Sequence, residues 1–150
     1  MKPSISPKDI AQCRDCVSTN LRMTTRAITQ VYDEIMQSSG LRGTQFTLMA
    51  MVFGMGPVTI TGLAEALIID RTTLTRNLKP LSRQKLIHIY EGEDRRTREV
   101  VVTNKGREVI AKALPLWEKA QAHILKSFGD QRWKDLSGEL KGLISASHIK

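Results

Sequence analysis

The apolar positions of this chain change period several times, and each change marks an element. Ile10, Cys13, Val17, Leu21, Thr24, Ile28, Val31 and Ile35 recur at intervals of three and four, the spacing of one helix face. Ser6-Pro7-Lys8-Asp9 supplies a start signal, with Ser6 as N-cap, Pro7 at the first helical position and Asp9 at the third. The spacing predicts a long helix to about Ser38, ended by Gly40 and preceded by a short arm from Met1 to Ile5. A second helix, N-capped by Thr44, carries Phe46, Leu48, Met49, Met51, Val52 and Phe53. It is apolar on most sides, which predicts the middle of the core. Gly54, Gly56 and Pro57 break it. Thr59 then caps a short helix with Leu63, Ala64 and Leu67, and Ile68-Ile69 forms the turn into the next element.

That element is headed by Asp70, whose carboxylate can accept orphan amides and oppose the positive helix end. Leu74, Leu78 and Leu81 make one apolar stripe. Thr72, Thr75, Arg76 and Lys79 fall roughly opposite, and Pro80 predicts a bend or weakening. The period then drops to two. Ile87 and Ile89 alternate with His88 and Tyr90, and Val100 to Val102 reads as the returning strand. Between the strands lies a charged tip containing Asp94, Arg95, Arg96 and Arg98. Helical spacing resumes after Thr103, a predicted N-cap, with Ile110, Leu114, Trp117, Ala120 and Ile124 in line to about Phe128 and Pro115 a site of bending. Gly129 ends that helix. A last one starts at Asp130 and carries Trp133, Leu136, Leu140 and Leu143. The pattern is mainly α with a small β-hairpin wing: a winged helix-turn-helix flanked by long N- and C-terminal helices. At 150 residues it is read as one domain, 1–150. Its winged lobe spans about 44–106, with terminal helices about 6–39 and 107–148.

Charge sharpens this picture. The net charge is +8. From Asp70 to Arg107 there are ten Lys/Arg against five Asp/Glu, so +5 of the excess sits on the basic helix and hairpin. A phosphate-binding face has that distribution. Arg71 and Arg76 can read guanine edges, and threonines can meet thymine methyls or phosphates. Three arginines on one tip repel one another unless an anion or carboxylates answer them. Asp94 can hold and aim Arg96 by a charge-assisted hydrogen bond, and a narrow A·T-rich minor groove receives such an arginine. The candidate DNA-binding set is Arg71, Thr72, Thr73, Thr75, Arg76 and Lys79 on the helix and Arg95, Arg96 and Arg98 on the wing, with Asp94 orienting. The reading of a different class is a winged-helix protein-interaction module without sequence-specific DNA reading; the arginine-rich wing argues against it.

The enzyme classes find no support: there is no Gly-rich phosphate loop, nucleophile elbow or metalloprotease helix, and no cofactor is implied. No apolar run approaches the roughly 20 residues of a membrane span, and no signal-peptide core opens the chain, so a cytoplasmic protein is expected. Cys13 and Cys16 are the only cysteines. On one continuous helix they would stack one turn apart. Three roles stay open: Cys13 packs in the stripe with Cys16 incidental, the two form a redox sensor, or they bind a metal. With His88, His123 and His148 scattered, no metal site is assigned. Met23, Met36, Met49, Met51 and Met55 fall near the junction of long helix and core, where methionine fills irregular gaps or lines adaptable pockets.

Gln45-Phe46-Thr47-Leu48, Leu63-Ala64, Arg71-Thr72-Thr73-Leu74-Thr75-Arg76, Leu86-Ile87, Asp94-Arg95-Arg96-Thr97 and Val102-Thr103-Asn104-Lys105-Gly106 follow one another in an order and spacing that resembles the multiple antibiotic resistance regulator (MarR) family. The resemblance covers roughly residues 20 to 145. It implies a homodimeric transcriptional regulator, usually a repressor, on a pseudopalindromic operator in double-stranded DNA. It implies that the terminal helices form the dimer interface, that the basic helix enters the major groove, and that Arg96, oriented by Asp94, enters the minor groove. It further implies release by a small-molecule effector, bound between the dimerisation helices and the DNA-binding lobe, or by an oxidant. One departure stands out: many members carry glycine where Lys85 precedes Leu86-Ile87.

Overall fold

The structure, a computed structural model, describes residues 5–147. The proposed arm, apart from Ile5, lies outside the described residues, as does His148. The Ser6–Asp9 start signal forms: the Ser6 amide and hydroxyl each donate to Asp9 Oδ2 at 2.8 Å and open α1 (Pro7–Ala11). The helix expected to run on to Ser38 does not. A 3-10 turn (Gln12–Asp15) follows. Cys16 takes extended backbone (φ −61°, ψ 120°), and α2 (Val17–Met36) starts afresh behind it. The Asn20 side-chain amide donates to the carbonyls of Arg14 (3.2 Å) and Cys16 (3.0 Å). Such a side chain offers the backbone an alternative to its helical ladder, and here it braces the break. The stripe expected along this helix is only half used: Ile10, Val17 and Leu21 are 55%, 59% and 40% exposed.

Gly40, at φ +75°, ends the short 3-10 turn (Gln37–Ser39) that closes α2. The next helix, α3 (Gly43–Met55), starts two residues earlier than Thr44 capping would require. Asp33 of α2 explains the shift, because its Oδ1 already accepts the Gly43 amide at 2.8 Å. Arg42 occupies the cap position, its amide donating to Gln45 Oε1 at 3.0 Å. Phe46, Leu48, Met49 and Val52 are buried, but Phe53 is 51% exposed, against the expectation for a core helix. Its ring carries the Arg107 guanidinium 5.5 Å above the centroid.

A strand that the sequence pattern did not announce, β1 (Val58–Thr59), precedes α4 (Ile60–Leu67). Two residues are too few to show a period. The Thr59 hydroxyl accepts the Gly62 amide at 3.0 Å, as a cap should. Ile68, left-handed at φ 53°, turns the chain into α5 (Arg71–Arg83). This helix continues three residues beyond Pro80. β2 (Ile87–Glu91) and β3 (Arg98–Val102) pair antiparallel, Ile89 opposite Val100 and Glu91 opposite Arg98, and the sheet order is β1-β3-β2. α6 (Asn104–Phe128) and α7 (Asp130–Ala146) complete the chain.

The core gathers Met36, Phe46, Met49, Val52, Leu63, Leu74, Leu78, Leu81, Leu86 and Val100, with Ala113 of α6 against it. Phe46 stacks on Trp117, centroids 6.0 Å apart. The Tyr32 hydroxyl donates to Gln121 Oε1, tying α2 to α6. Of the methionines, Met36 and Met49 are fully buried while Met23 (61%) and Met55 (45%) are exposed. Among the described residues no helix is long and apolar enough to cross a membrane.

The tightest backbone approach lies at the start of α6. A Cβ on Gly106 would sit 2.1 Å from the Leu86 carbonyl oxygen and 2.7 Å from Val102 Cγ1. Backbone cannot yield as a flexible side chain can. Gly106→Ala is therefore expected to destabilise the fold by about 2 kcal/mol or more, read as a lower urea midpoint. An unchanged midpoint would contradict this packing.

Candidate nucleic-acid interface

Burial fixes the face that α5 presents. Leu74, Leu78 and Leu81 are fully buried, so the residues on the opposite side of the helix are left to solvent. Arg71, Thr72, Thr75, Arg76 and Lys79 line a shallow groove of about 690 Å³ there. The three cations form no ion pair among the described residues. Thr75 donates its hydroxyl to the Arg71 carbonyl at 2.7 Å, which leaves the oxygen free to accept. Thr73 is placed differently. Its hydroxyl donates to Asp70 Oδ2 at 2.6 Å and its amide to Oδ1 at 2.8 Å, so its side chain completes the helix cap and does not line the groove. The Thr73 hydroxyl, and after it the Thr73 amide, hold the Asp70 carboxyl below its ordinary range.

The wing is a built turn. The Gly92 amide donates to the Thr97 carbonyl at 3.1 Å, and the Thr97 amide and hydroxyl donate to the Asp94 carbonyl at 2.7 and 2.8 Å. Asp94 Oδ1 accepts the Arg96 amide at 2.9 Å and its Nε at 3.3 Å, while Oδ2 takes Nη2 at 3.3 Å. The Arg96 amide and then its guanidinium lower the Asp94 pKa. The Arg96 side chain is nonetheless 90% exposed. Arg95 is exposed and forms no ion pair among the described residues. Arg98 is not at the tip but opens β3, where Glu91 faces it across the ladder at 3.4 Å. Sequence reasoning missed Glu91 as a partner, and also Tyr90, whose hydroxyl donates to Glu99 Oε2 at 2.9 Å beneath the tip. The strand register would have found both, since it sets Glu91 opposite Arg98 and Tyr90 opposite Glu99.

The cysteines do not stack on one helix. Cys13 lies in the 3-10 turn and Cys16 at the break, joined by the Cys16 amide donating to the Cys13 carbonyl at 3.3 Å. Both are exposed, so Cys13 does not pack in a core stripe of its own protomer. The Thr19 amide and hydroxyl, with the Ser18 amide, draw the Cys16 pKa down. Among the described residues no three His, Cys, Asp or Glu side chains are grouped to hold a metal. Two hollows lie nearer the long helices. One of about 270 Å³, with Ile28, Tyr32, Thr47 and Trp117 in its wall, lies between α2, α3 and α6. The other, about 790 Å³, runs between the α2 residues Val17 and Leu21 and the α7 residues Leu140 and Leu143.

A helix pair with a polar-faced second helix, a three-stranded wing and long flanking helices define a winged helix-turn-helix protein. No family model matches the chain. Its fold superposes on the M. tuberculosis transcriptional regulator MosR in complex with DNA at a TM-score of 0.79, with 34% identity over 90% of this chain and 100% of that one. A mutant of MarR from E. coli complexed with operator DNA superposes at 0.77 with 18% identity, over 85% of this chain and 92% of that one. A curated relative, the HTH-type transcriptional regulator YwoH of Bacillus subtilis, is 23% identical over 111 residues, 74% of this chain and 81% of its own. The chain belongs to the MarR family of transcriptional regulators.

The lowered carboxyls of Asp70 and Asp94 predict an acid response. A depressed folded-state pKa contributes stability that is complete above the unfolded value and is lost as pH falls through the folded one. Acidification below the ordinary carboxylate range should therefore loosen the α5 N-terminus and the wing turn. Relative to the intrinsic exchange rate at each pH, protection of the Thr73 and Arg96 amides should fall there, and Asp70→Ala should lower Thr73 protection already at neutral pH. Protection at Thr73 that ignores this substitution would refute the cap.

Proposed function

We propose that this chain is a sequence-specific DNA-binding transcriptional regulator, acting as a homodimeric repressor in the cytoplasm and without catalysis of its own. The observation that carries the proposal is the α5 groove, in which Arg71, Arg76 and Lys79 stand among threonines with no ion pair among the described residues. The 34% identical MosR was solved with DNA. Arg71 and Arg76 are the base readers, Thr72, Thr75 and Lys79 the flanking contacts, and Thr73 acts through the cap. Arg96, aimed by Asp94, enters the minor groove, with Arg95 and Arg98 beside it on phosphate. The terminal helices supply the dimer interface: Val17, Leu21, Trp133, Leu136, Leu143 and Ile144 are each more than a third exposed and lie on helices at the two ends of the chain. In this assignment residues about 44–106 read DNA, and about 6–39 and 107–148 hold the dimer.

Selection of bound duplexes from a random pool tests the assignment. The parent should recover an inverted repeat. Arg71→Ala or Arg76→Ala should lose preference at one position per half-site, about 1–3 kcal/mol. Arg96→Ala should weaken binding chiefly where an A·T run narrows the minor groove. Identical preferences in all three variants would reject these roles.

Release by an oxidant is the favoured control, on the observation that two exposed cysteines share one backbone turn at the α1–α2 break. The Cys16 thiolate attacks one oxygen of hydrogen peroxide, giving the sulfenic acid and, after protonation, water. The Cys13 thiol then displaces a second water, and the disulfide forms as peroxide is reduced. Peroxide should loosen the parent's operator complex and leave Cys13→Ser unaffected; equal loosening of both would dismiss the switch. A small-molecule effector, for which the hollow by Tyr32 and Trp117 offers room, would act on Cys13→Ser as on the parent.

A further inference from the structure

The carbonyls at the end of α5 have to be accounted for. The Gln84 amide takes the Pro80 carbonyl, Lys85 takes Ser82 and Leu86 takes Leu81, at 3.1, 2.9 and 3.0 Å. Lys85 sits between them in left-handed backbone, φ 59°. Of the carbonyls that follow the helix, those of Gln84, Lys85 and Leu86 are each answered from the start of α6. The Thr103 hydroxyl lies 2.8 Å from Lys85 O and 3.1 Å from Leu86 O, and the Thr103 amide donates to Leu86 O at 3.0 Å. Lys105 Nζ reaches Gln84 O at 3.0 Å. The same Thr103 oxygen accepts the Gly106 amide at 3.0 Å and so caps α6. Gly106 has no Cβ to hold the two backbones apart.

We infer that Thr103 and Lys105 are positioning residues for DNA recognition, clamping the exit of α5 to the first turn of α6 so that the reading helix keeps a fixed angle to the dimer-forming one. One hydroxyl serves both helices at once, as donor to the exit of α5 and acceptor at the entry of α6. A rotation of α5 against α6 must break bonds that no other group among the described residues makes. Lys85 raises the demand on the joint: a side chain in left-handed backbone is strained where glycine is not, so the bonds around it hold a conformation the residue would otherwise leave. In a two-fold dimer the angle of each α5 to its own α6 sets the distance between the two α5 helices. The clamp therefore sets which half-site spacing the protein accepts. The inference rests on the dimeric DNA-binding reading above.

The test compares binding to the selected inverted repeat with binding to the same repeat carrying one or two extra base pairs at its centre. Thr103→Val, which keeps shape but loses donor and acceptor, and Lys105→Met, which keeps the stem but loses the ammonium, should each reduce the parent's discrimination between spacings about fivefold or more, the scale of coupling between sites. Thr103→Ser and Lys105→Arg should keep it. A merely destabilised variant would lose affinity for both duplexes alike. In a cysteine-free background, spin labels at Asn77→Cys and Lys112→Cys should show a broader α5–α6 distance distribution in Thr103→Val than in Thr103→Ser, with or without DNA. Should Thr103→Val fail to fold, the exposed Lys105 pair carries the comparison. Undiminished spacing discrimination and an unbroadened distribution in the Val and Met variants would overturn the clamp while leaving the DNA reading intact. Absence of any duplex binding by the parent would overturn the DNA reading and, with it, the spacing argument.

Discussion

The arrangement depends on burying three leucines of α5. Leu74, Leu78 and Leu81 are inaccessible to solvent, and each contributes about 2 kcal/mol by leaving water. A helix with its stripe so anchored cannot roll without exposing it. The opposite stripe of Arg71, Thr72, Thr75, Arg76 and Lys79 is thereby committed to solvent. A basic face on a free helix would be an ordinary solvated surface. Here packing holds it in one orientation, and the fixed donors cost less to order when a duplex arrives.

The wing reaches a similar result by a different route. No apolar residue stands between Tyr90 and Val100, so local hydrogen bonds shape the tip. Thr97 closes the turn on the Asp94 carbonyl, and the Asp94 carboxylate then holds both the amide and the guanidinium of Arg96. An exposed ion pair of this kind adds little to stability. Its effect is on geometry: it limits the rotamers of a side chain that remains almost wholly exposed. Glu91 with Arg98 and Tyr90 with Glu99 brace the strands below.

Much of this was legible in the residues. The Asp70 and Thr59 caps, the leucine stripe, the period-two strands and the Asp94–Arg96 pair are local features, settled within a few residues of chain. The failures came where distant groups decide. Thr44 lost the cap to Asp33, because α2 delivers a carboxylate to the start of α3. The first helix broke at Cys16, where Asn20 captures two carbonyls, although its apolar spacing ran on unbroken. β1 exists only because β3 is there to pair with it. Thr73 shared the face arithmetic of its neighbours, but a hydroxyl within reach of Asp70 is claimed by the cap. Lys85, a departure from the family's glycine in sequence, proved to hold the left-handed backbone that glycine would favour.

If α5 and the wing straddle one duplex, both grooves of that duplex must be covered at once. Dimethyl sulfate reports both in a single experiment, since it methylates guanine N7 in the major groove and adenine N3 in the minor groove. On the selected operator guanine N7 should be protected within each half-site and adenine N3 in the flanking A·T segment, repeated with two-fold symmetry. Protection confined to one groove, or to one half-site, would contradict that placement.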